Sequence, residues 1–275
     1  MSLFTKSLFL LNILASSTDA LPTNSIRAAQ ACGNTIEGAG TFMKSATYTF
    51  PGTTLPEGLH RSPDLIRDQD YGAPYNHIFE AKNVVVKDGF LNIIVPGGQN
   101  PASAPNQAIS SAEVFTTESD ILYASVRTHA IFSTEPGTCQ SSFFYKTDNQ
   151  ETDIEYLSDP TSQSNVDGTA DLHYTNQAID GGDSTWSHKP APGDIGTAVH
   201  EYRIDWTRDF TAFFVDGVLQ EKKTENVPTE PGTWLWNNWS NGDRGWSVGP
   251  PRGDSVMKVQ KIEMFYNTTG SAGSC

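Results

Sequence analysis

Glu151, Asp153 and Glu155 stand two residues apart in the run Glu151-Thr152-Asp153-Ile154-Glu155. In an extended strand, residues two apart share a face, so the three acids line one side while Thr152, Ile154 and Tyr156 take the other. One-sided burial fixes such a register. The Glu151 and Glu155 Cα atoms then lie roughly 13 Å apart, and two leaning glutamates bring their carboxyls to roughly 5–6 Å. That gap matches retaining glycoside cleavage, where one carboxyl attacks and the other donates a proton; inverting enzymes need a wider gap that admits water. Like charges this close resist full ionisation, so one glutamate can stay protonated while the other attacks, and Asp153 between them manages the shared proton.

The triplet alone is weak. With 32 acidic residues among 275, an acid at i, i+2 and i+4 arises by chance roughly 0.4 times. A solvated strand face would explain it, and so would a calcium site.

The acids need a scaffold, and the surrounding sequence supplies strands. Period-2 and β-rich runs recur at 46–50, 91–95, 110–116, 122–130, 141–146, 151–157, 171–176, 200–206, 211–215, 234–239 and 256–266, separated by Gly, Pro, Asn and Asp clusters. With almost no 3.6-residue apolar period, this spacing predicts an all-β sandwich of two packed antiparallel sheets. Asp216-Gly217 between apolar runs predicts a hairpin, which makes Asp216 a turn residue rather than a catalytic one.

Composition narrows the partners. A net charge of −14 repels phosphate backbones and anionic membranes, so nucleic acid and membrane surfaces are excluded as ligands. Lys6, an apolar run over 8–15 and the small residues near Ala20 predict a signal peptide over 1–20 and a secreted, extracellular or cell-wall protein. Residues 21–31 read as a disordered or processed lead-in, and 32–275 as a single catalytic domain. The apolar run is too short for a membrane anchor. Cys32, Cys139 and Cys275 allow one disulfide in an oxidising compartment, with all three pairings open. Asn238 and Asn267 begin glycosylation sequons, Asn267 being the better acceptor. No cofactor is called for; neither a zinc motif nor an identifiable set of calcium ligands is present.

Beyond the triplet, Ser111 to Thr116, Gly137 to Cys139, Phe143 to Tyr145, His200 to Thr207, Phe214 to Gly217, Trp239 to Gly242, Trp246 to Pro251 and Lys258 to Asn267 follow one another in a characteristic order. Over residues 45–267 this order resembles glycoside hydrolase family 16, in its form with an unbulged catalytic strand. The resemblance implies a β-jelly-roll of two stacked sheets, of the concanavalin A-like kind, that cleaves or transfers β-linked polysaccharides with retention. It implies Glu151 as nucleophile, Asp153 as assisting carboxylate, Glu155 as acid/base, and Trp239 and Trp246 as sugar-stacking aromatics. Indole faces pack on pyranose C–H faces, which agrees with those two roles.

Tyr174 and Asn176 share a face and are expected to contact the cleaved sugar, with strand packing as the alternative. Trp234 and Trp236 face away from Trp239, and Trp206 shares a face with Tyr202 and Ile204; all three read as core. Thr152 stands where the family more often has an aliphatic, and Asn149 where several members place a cleft tryptophan. The leading expectation is a monomeric endo-β-glucanase acting on β-1,3- or mixed β-1,3/1,4-glucan. A wall-remodelling transglycosylase follows the same path to the covalent intermediate, and a non-catalytic lectin-like module is the reading from another class.

Overall fold

The computed structural model describes residues 33–103 and 107–271. The predicted signal peptide and lead-in, Cys32 and Cys275 lie outside them. Nineteen strands run through the described residues. The first eight are β1 (Asn34–Ile36), β2 (Gly40–Phe42), β3 (Lys44–Thr49), β4 (Leu59–Arg61), β5 (Leu65–Ile66), β6 (His77–Phe79), β7 (Val84–Lys87) and β8 (Phe90–Val95). Next come β9 (Ile109–Thr116), β10 (Ile121–Ile131), β11 (Cys139–Thr147), β12 (Gln150–Leu157), β13 (Asp171–Asn176) and β14 (Thr185–Pro190). The last are β15 (His200–Trp206), β16 (Thr211–Val215), β17 (Val218–Lys223), β18 (Thr233–Trp239) and β19 (Ser255–Thr268).

Two large sheets hold almost all of them. One runs β17-β16-β15-β10-β19-β8-β7, with β3 also on β19; the other runs β14-β13-β12-β11-β18-β9-β6-β5, with β4 also on β9. Pairing is antiparallel except where β6 runs parallel to β9, a departure from the fully antiparallel sheets predicted. β1 and β2 form a separate ribbon. The hairpin at Asp216-Gly217 joins β16 to β17 with φ of 50° and 74°, the positive angles that such a two-residue turn requires.

The core lies between the two large sheets. Its largest fully buried side chains include Trp206, Trp234 and Trp236, as their strand faces predicted. Phe132 stacks on Tyr202 at 4.3 Å and on Tyr156 at 5.7 Å, and Phe144 meets Trp206 at 4.0 Å. Burying each such ring contributes about 1.5–3 kcal/mol relative to leaving it exposed. Thr152, Ile154 and Tyr156 enter this core. The consequence for β12 is direct: its other face, carrying the three acids, points away from the core in a fixed register.

The same pairing corrects one expectation. Ile154 sits opposite Tyr174, and Thr152 opposite Asn176, so Tyr174 and Asn176 point into the core rather than toward a sugar. Tyr174 is 1 % exposed and Asn176 fully buried. Asn176 Oδ1 accepts hydrogen bonds from Thr152 and from Thr211 on the opposite sheet, both at 2.8 Å. Thr152, unusual for its position, thus has a buried partner.

Candidate active site

The acid-bearing face of β12 forms the floor of a cleft of about 510 Å³. Strand alternation decides what joins it. On β11 the cleft face is Cys139, Ser141, Phe143 and Tyr145; on β18 it is Leu235, Asn237 and Trp239; on β9 it is Glu113 and Phe115. On β13 it is His173 and Thr175, opposite Glu155 and Asp153. Glu151, Asp153 and Glu155 all line the cleft.

The cluster is a proton store. Burial is the main cause raising all three carboxyls above their usual range. Asp153 is raised well above it by burial first, then by the charges of Glu151 and Glu155, and by a hydrogen bond shared with Glu151. That bond lowers Glu151 while raising Asp153, so the pair shares a proton. Asp153 Oδ1 is buried with no donor aimed at it. Asp153 Oδ2 accepts from Gln177 Nε2 at 3.2 Å.

Glu155 is held differently. Its Oε1 accepts from the Cys139 thiol at 3.1 Å, from Trp246 Nε1 at 3.4 Å and from Ser141 Oγ at 3.5 Å. Three donors on one oxygen fix the carboxyl's orientation and leave Oε2 as the oxygen to carry a transferable proton. Trp246, read from the sequence as a sugar-stacking aromatic, is placed by this bond beside Glu155. Trp239 lines the cleft and stacks on His77, centroids 5.0 Å apart and planes within 18°. His77 is in turn bonded through Nδ1 to Asp68 Oδ2 at 2.7 Å.

The remaining sequence expectations divide. Cys139 is a free, fully buried thiol, while Cys32 and Cys275 lie outside the described residues. Asn238 is fully buried and its Nδ2 donates to the carbonyls of Ile93 and Ser255, which removes it as a glycan acceptor. Asn267 is half-buried, its Oδ1 accepting from the Met43 amide. Asn149, exposed, donates to the Ile179 carbonyl instead of covering the cleft. Among the described residues no set of three or more His, Cys, Asp or Glu is placed to hold a metal ion. Nor is any described helix long and apolar enough to cross a membrane.

Sequence reasoning missed Cys139, Ser141, Gln177, His173 and Glu113. Alternation along β11 would have put Cys139 and Ser141 on one face with Phe143 and Tyr145; only the pairing with β12 shows that this face meets Glu155.

Residues 72–247 match the profile of glycosyl hydrolases family 16. The chain belongs to that family. Among curated proteins, a beta-glucanase of Paenibacillus macerans is 31% identical over 106 residues, which are 36% of this chain and 41% of that protein. A beta-glucanase of Paenibacillus polymyxa is 38% identical over 47 residues, 17% of this chain and 20% of the relative. The chain thus matches a fifth to two fifths of the length of these curated relatives. Among solved structures, a prokaryotic beta-1,3-1,4-glucanase (lichenase) from a mouse hindgut metagenome superposes with a TM-score of 0.63 at 21% identity, over 82% of this chain and 99% of the other. The catalytic domain of an endo-1,3-beta-glucanase (laminarinase) from Thermotoga petrophila gives 0.62 at 16% identity, over 82% and 97%. The shared fold is the family 16 jelly-roll of two stacked sheets.

Proposed function

We propose that this family 16 chain is a retaining endo-β-glucanase that hydrolyses β-1,3- or mixed β-1,3/1,4-glucan. The observation that carries the reading is the row of three acids on one strand face, with three donors converging on one oxygen of Glu155. The names of the curated relatives support the substrate class. In the first step Glu151 attacks the anomeric carbon, and Glu155 transfers its proton to the departing glycosidic oxygen. As the Glu151 oxygen gives up its charge to the new bond, the Asp153 proton can relax toward Asp153. In the second step Glu155, now a carboxylate, takes a proton from water as that water attacks the anomeric carbon. Glu151 leaves as carboxylate and the configuration is retained.

The cleft's openness across the sheet suits internal attack on a long neutral chain, and a neutral chain meets no repulsion from a protein of charge −14. Trp239 and Trp246 are the proposed sugar-stacking aromatics. We place the enzyme outside the cell as a monomer, with residues 32–275 as its catalytic domain and Asn267 as its glycan acceptor.

The test is product analysis on laminarin, barley glucan, xyloglucan and chitin oligomers, with and without a sugar acceptor. Proton NMR of the first products should show the β-anomer. Glu151→Gln and Glu155→Gln should each abolish turnover while glucan binding remains measurable. Near-normal turnover by either variant, or an α-anomer as first product, would overturn the assignment. Products lengthened by the acceptor would replace hydrolysis with transglycosylation.

A further inference from the structure

We infer that Trp186 is a sugar-binding platform, a subsite for a further glucosyl ring of the same β-glucan chain on the β13–β14 side of the catalytic strand. The inference rests on the glucanase reading and extends the substrate path beyond the cleft that holds the acids.

Register puts Trp186 on the acids' side of the sheet. Asp153 pairs with Thr175 and Thr175 with Trp186, so the three form one row across β12, β13 and β14. The neighbouring row is Glu155, His173 and His188. Two inter-strand spacings put the Trp186 backbone roughly 10 Å from that of Asp153. A linear chain lying across the strands and over the acids therefore passes Trp186.

The indole is unusual in being left open. Trp206, Trp234 and Trp236 are fully buried, whereas Trp186 is 57 % exposed. It is nevertheless not a loose surface ring. It stacks on His188, centroids 5.7 Å apart and planes within 22°, and on His173 at 6.4 Å and 26°. His188 Nδ1 is tied to Asp171 Oδ2 at 2.9 Å. His173 is fully buried, holds Asn165 Oδ1 through Nε2 at 3.1 Å, and contacts Trp246 at 5.0 Å. The imidazoles support the indole from within the sheet and run on to the tryptophan that donates to Glu155. A supported indole open to solvent on a cleft-side face has the apolar surface that a pyranose C–H face packs on. On the other side of the acids, Trp239 supported by His77 repeats the arrangement. Aromatic platforms on both flanks of the acids are what an endo-acting enzyme needs, since it must grip chain on both sides of the cleaved bond.

The test uses the full secreted chain and β-glucan oligomers of two to six residues, of whichever linkage the wild type cleaves fastest, with Trp186→Ala and Trp186→Phe. For the longest oligomers Trp186→Ala should raise KM roughly three- to tenfold with kcat little changed, the loss of one ring-stacking contact. The shortest oligomer cleaved should be unaffected, and Trp186→Phe should recover most of the loss. The set of products from the hexamer should shift, because one binding frame is weakened. A KM unchanged at every length, or a loss equal at every length, would overturn the subsite while leaving the glucanase reading intact. A wild type that turns over no β-glucan would remove the glucanase reading, and the subsite with it.

Discussion

The Cys139 thiol lies 3.1 Å from Oε1 of Glu155, in full burial. A thiol is a weak donor, but in a dry site it still favours the charged carboxylate. Burial raises Glu155, and the bonds from Cys139, Trp246 and Ser141 pull it back. Removing the thiol therefore lets Glu155 rise further. Glu155 serves as the acid only while protonated, so activity falls as pH climbs through its pKa. Cys139→Ala should move that basic limb of kcat/KM to higher pH by roughly half a unit to one unit, the worth of a lost hydrogen bond of about 1 kcal/mol. Cys139→Ser, which keeps a donor, should stay near the wild-type profile. A basic limb that does not move in Cys139→Ala would show that the thiol only fills space.

Asn176 joins the two sheets. Its Oδ1 accepts from Thr152 on its own sheet and Thr211 on the other, and its Nδ2 donates to the Glu225 carbonyl at 2.9 Å. Asn176→Ala would strand two buried hydroxyls and one carbonyl, a cost of about 2–4 kcal/mol. The urea midpoint should fall accordingly, while the KM of the folded fraction stays at the wild-type value. A raised KM at unchanged stability would restore Asn176 to a sugar-contacting role.

That residue also shows where sequence reading stopped. Within one strand, alternation is legible: Thr152, Ile154 and Tyr156 inward, the acids outward. The faces of β12, β15 and β18 could be read this way because each carries a recognisable contrast of acids or tryptophans. In β13, Leu172 and Tyr174 alternate with Asp171, His173 and Thr175, a contrast that already marks the core side, but Asn176 closes the apolar face with a polar residue that reads as a ligand contact. The pairing of Ile154 with Tyr174 puts that face in the core. Cys139 was hidden for a related reason. A cysteine in a chain expected to be secreted reads first as a disulfide partner, and its approach to Glu155 depends on cross-strand register. The short strands β4, β5 and β6 went unseen because their hydrophobic runs are only two or three residues long.

Gly249 holds the segment that carries Trp246. Its φ is 53°, and a Cβ there would fall 2.1 Å from Ser240 Oγ and 2.2 Å from the Gly137 carbonyl oxygen. The approach is mutual, since a Cβ on Gly137 would lie 2.8 Å from Gly249 Cα. The Ser240 hydroxyl can swing aside, but the Gly137 contact is backbone against backbone and cannot. Gly249→Ala should destabilise the protein by about 1–3 kcal/mol. It should also displace the Trp246 indole from Glu155, lowering kcat/KM in protein that remains folded. Thermal melting and kinetics on the soluble variant check both; an alanine variant with wild-type values of each would contradict the contact.

Glu113 sets a pH dependence of stability that is separable from catalysis. It is 8 % exposed, accepts from Asn237 Nδ2 at 3.2 Å, and is pushed up to about 7, chiefly by burial and then by the nearby charge of Asp64. In the unfolded chain the same carboxyl loses its proton near the ordinary glutamate value of about 4.3. Between those two values the folded state binds more protons than the unfolded one. Stability from this group is therefore fully present below the unfolded pKa and is lost as pH rises toward 7. The raised carboxyls of Glu151, Asp153 and Glu155 act in the same direction. The wild type should accordingly be more stable at pH 5 than at pH 8. Glu113→Gln, which has no proton to lose, should reduce that difference by up to about 3 kcal/mol. Urea unfolding of both proteins at pH 5 and pH 8 measures it. The same pH slope in the variant would mean that Glu113 is not the group responsible, and the loss of stability would then fall to the three acids of β12.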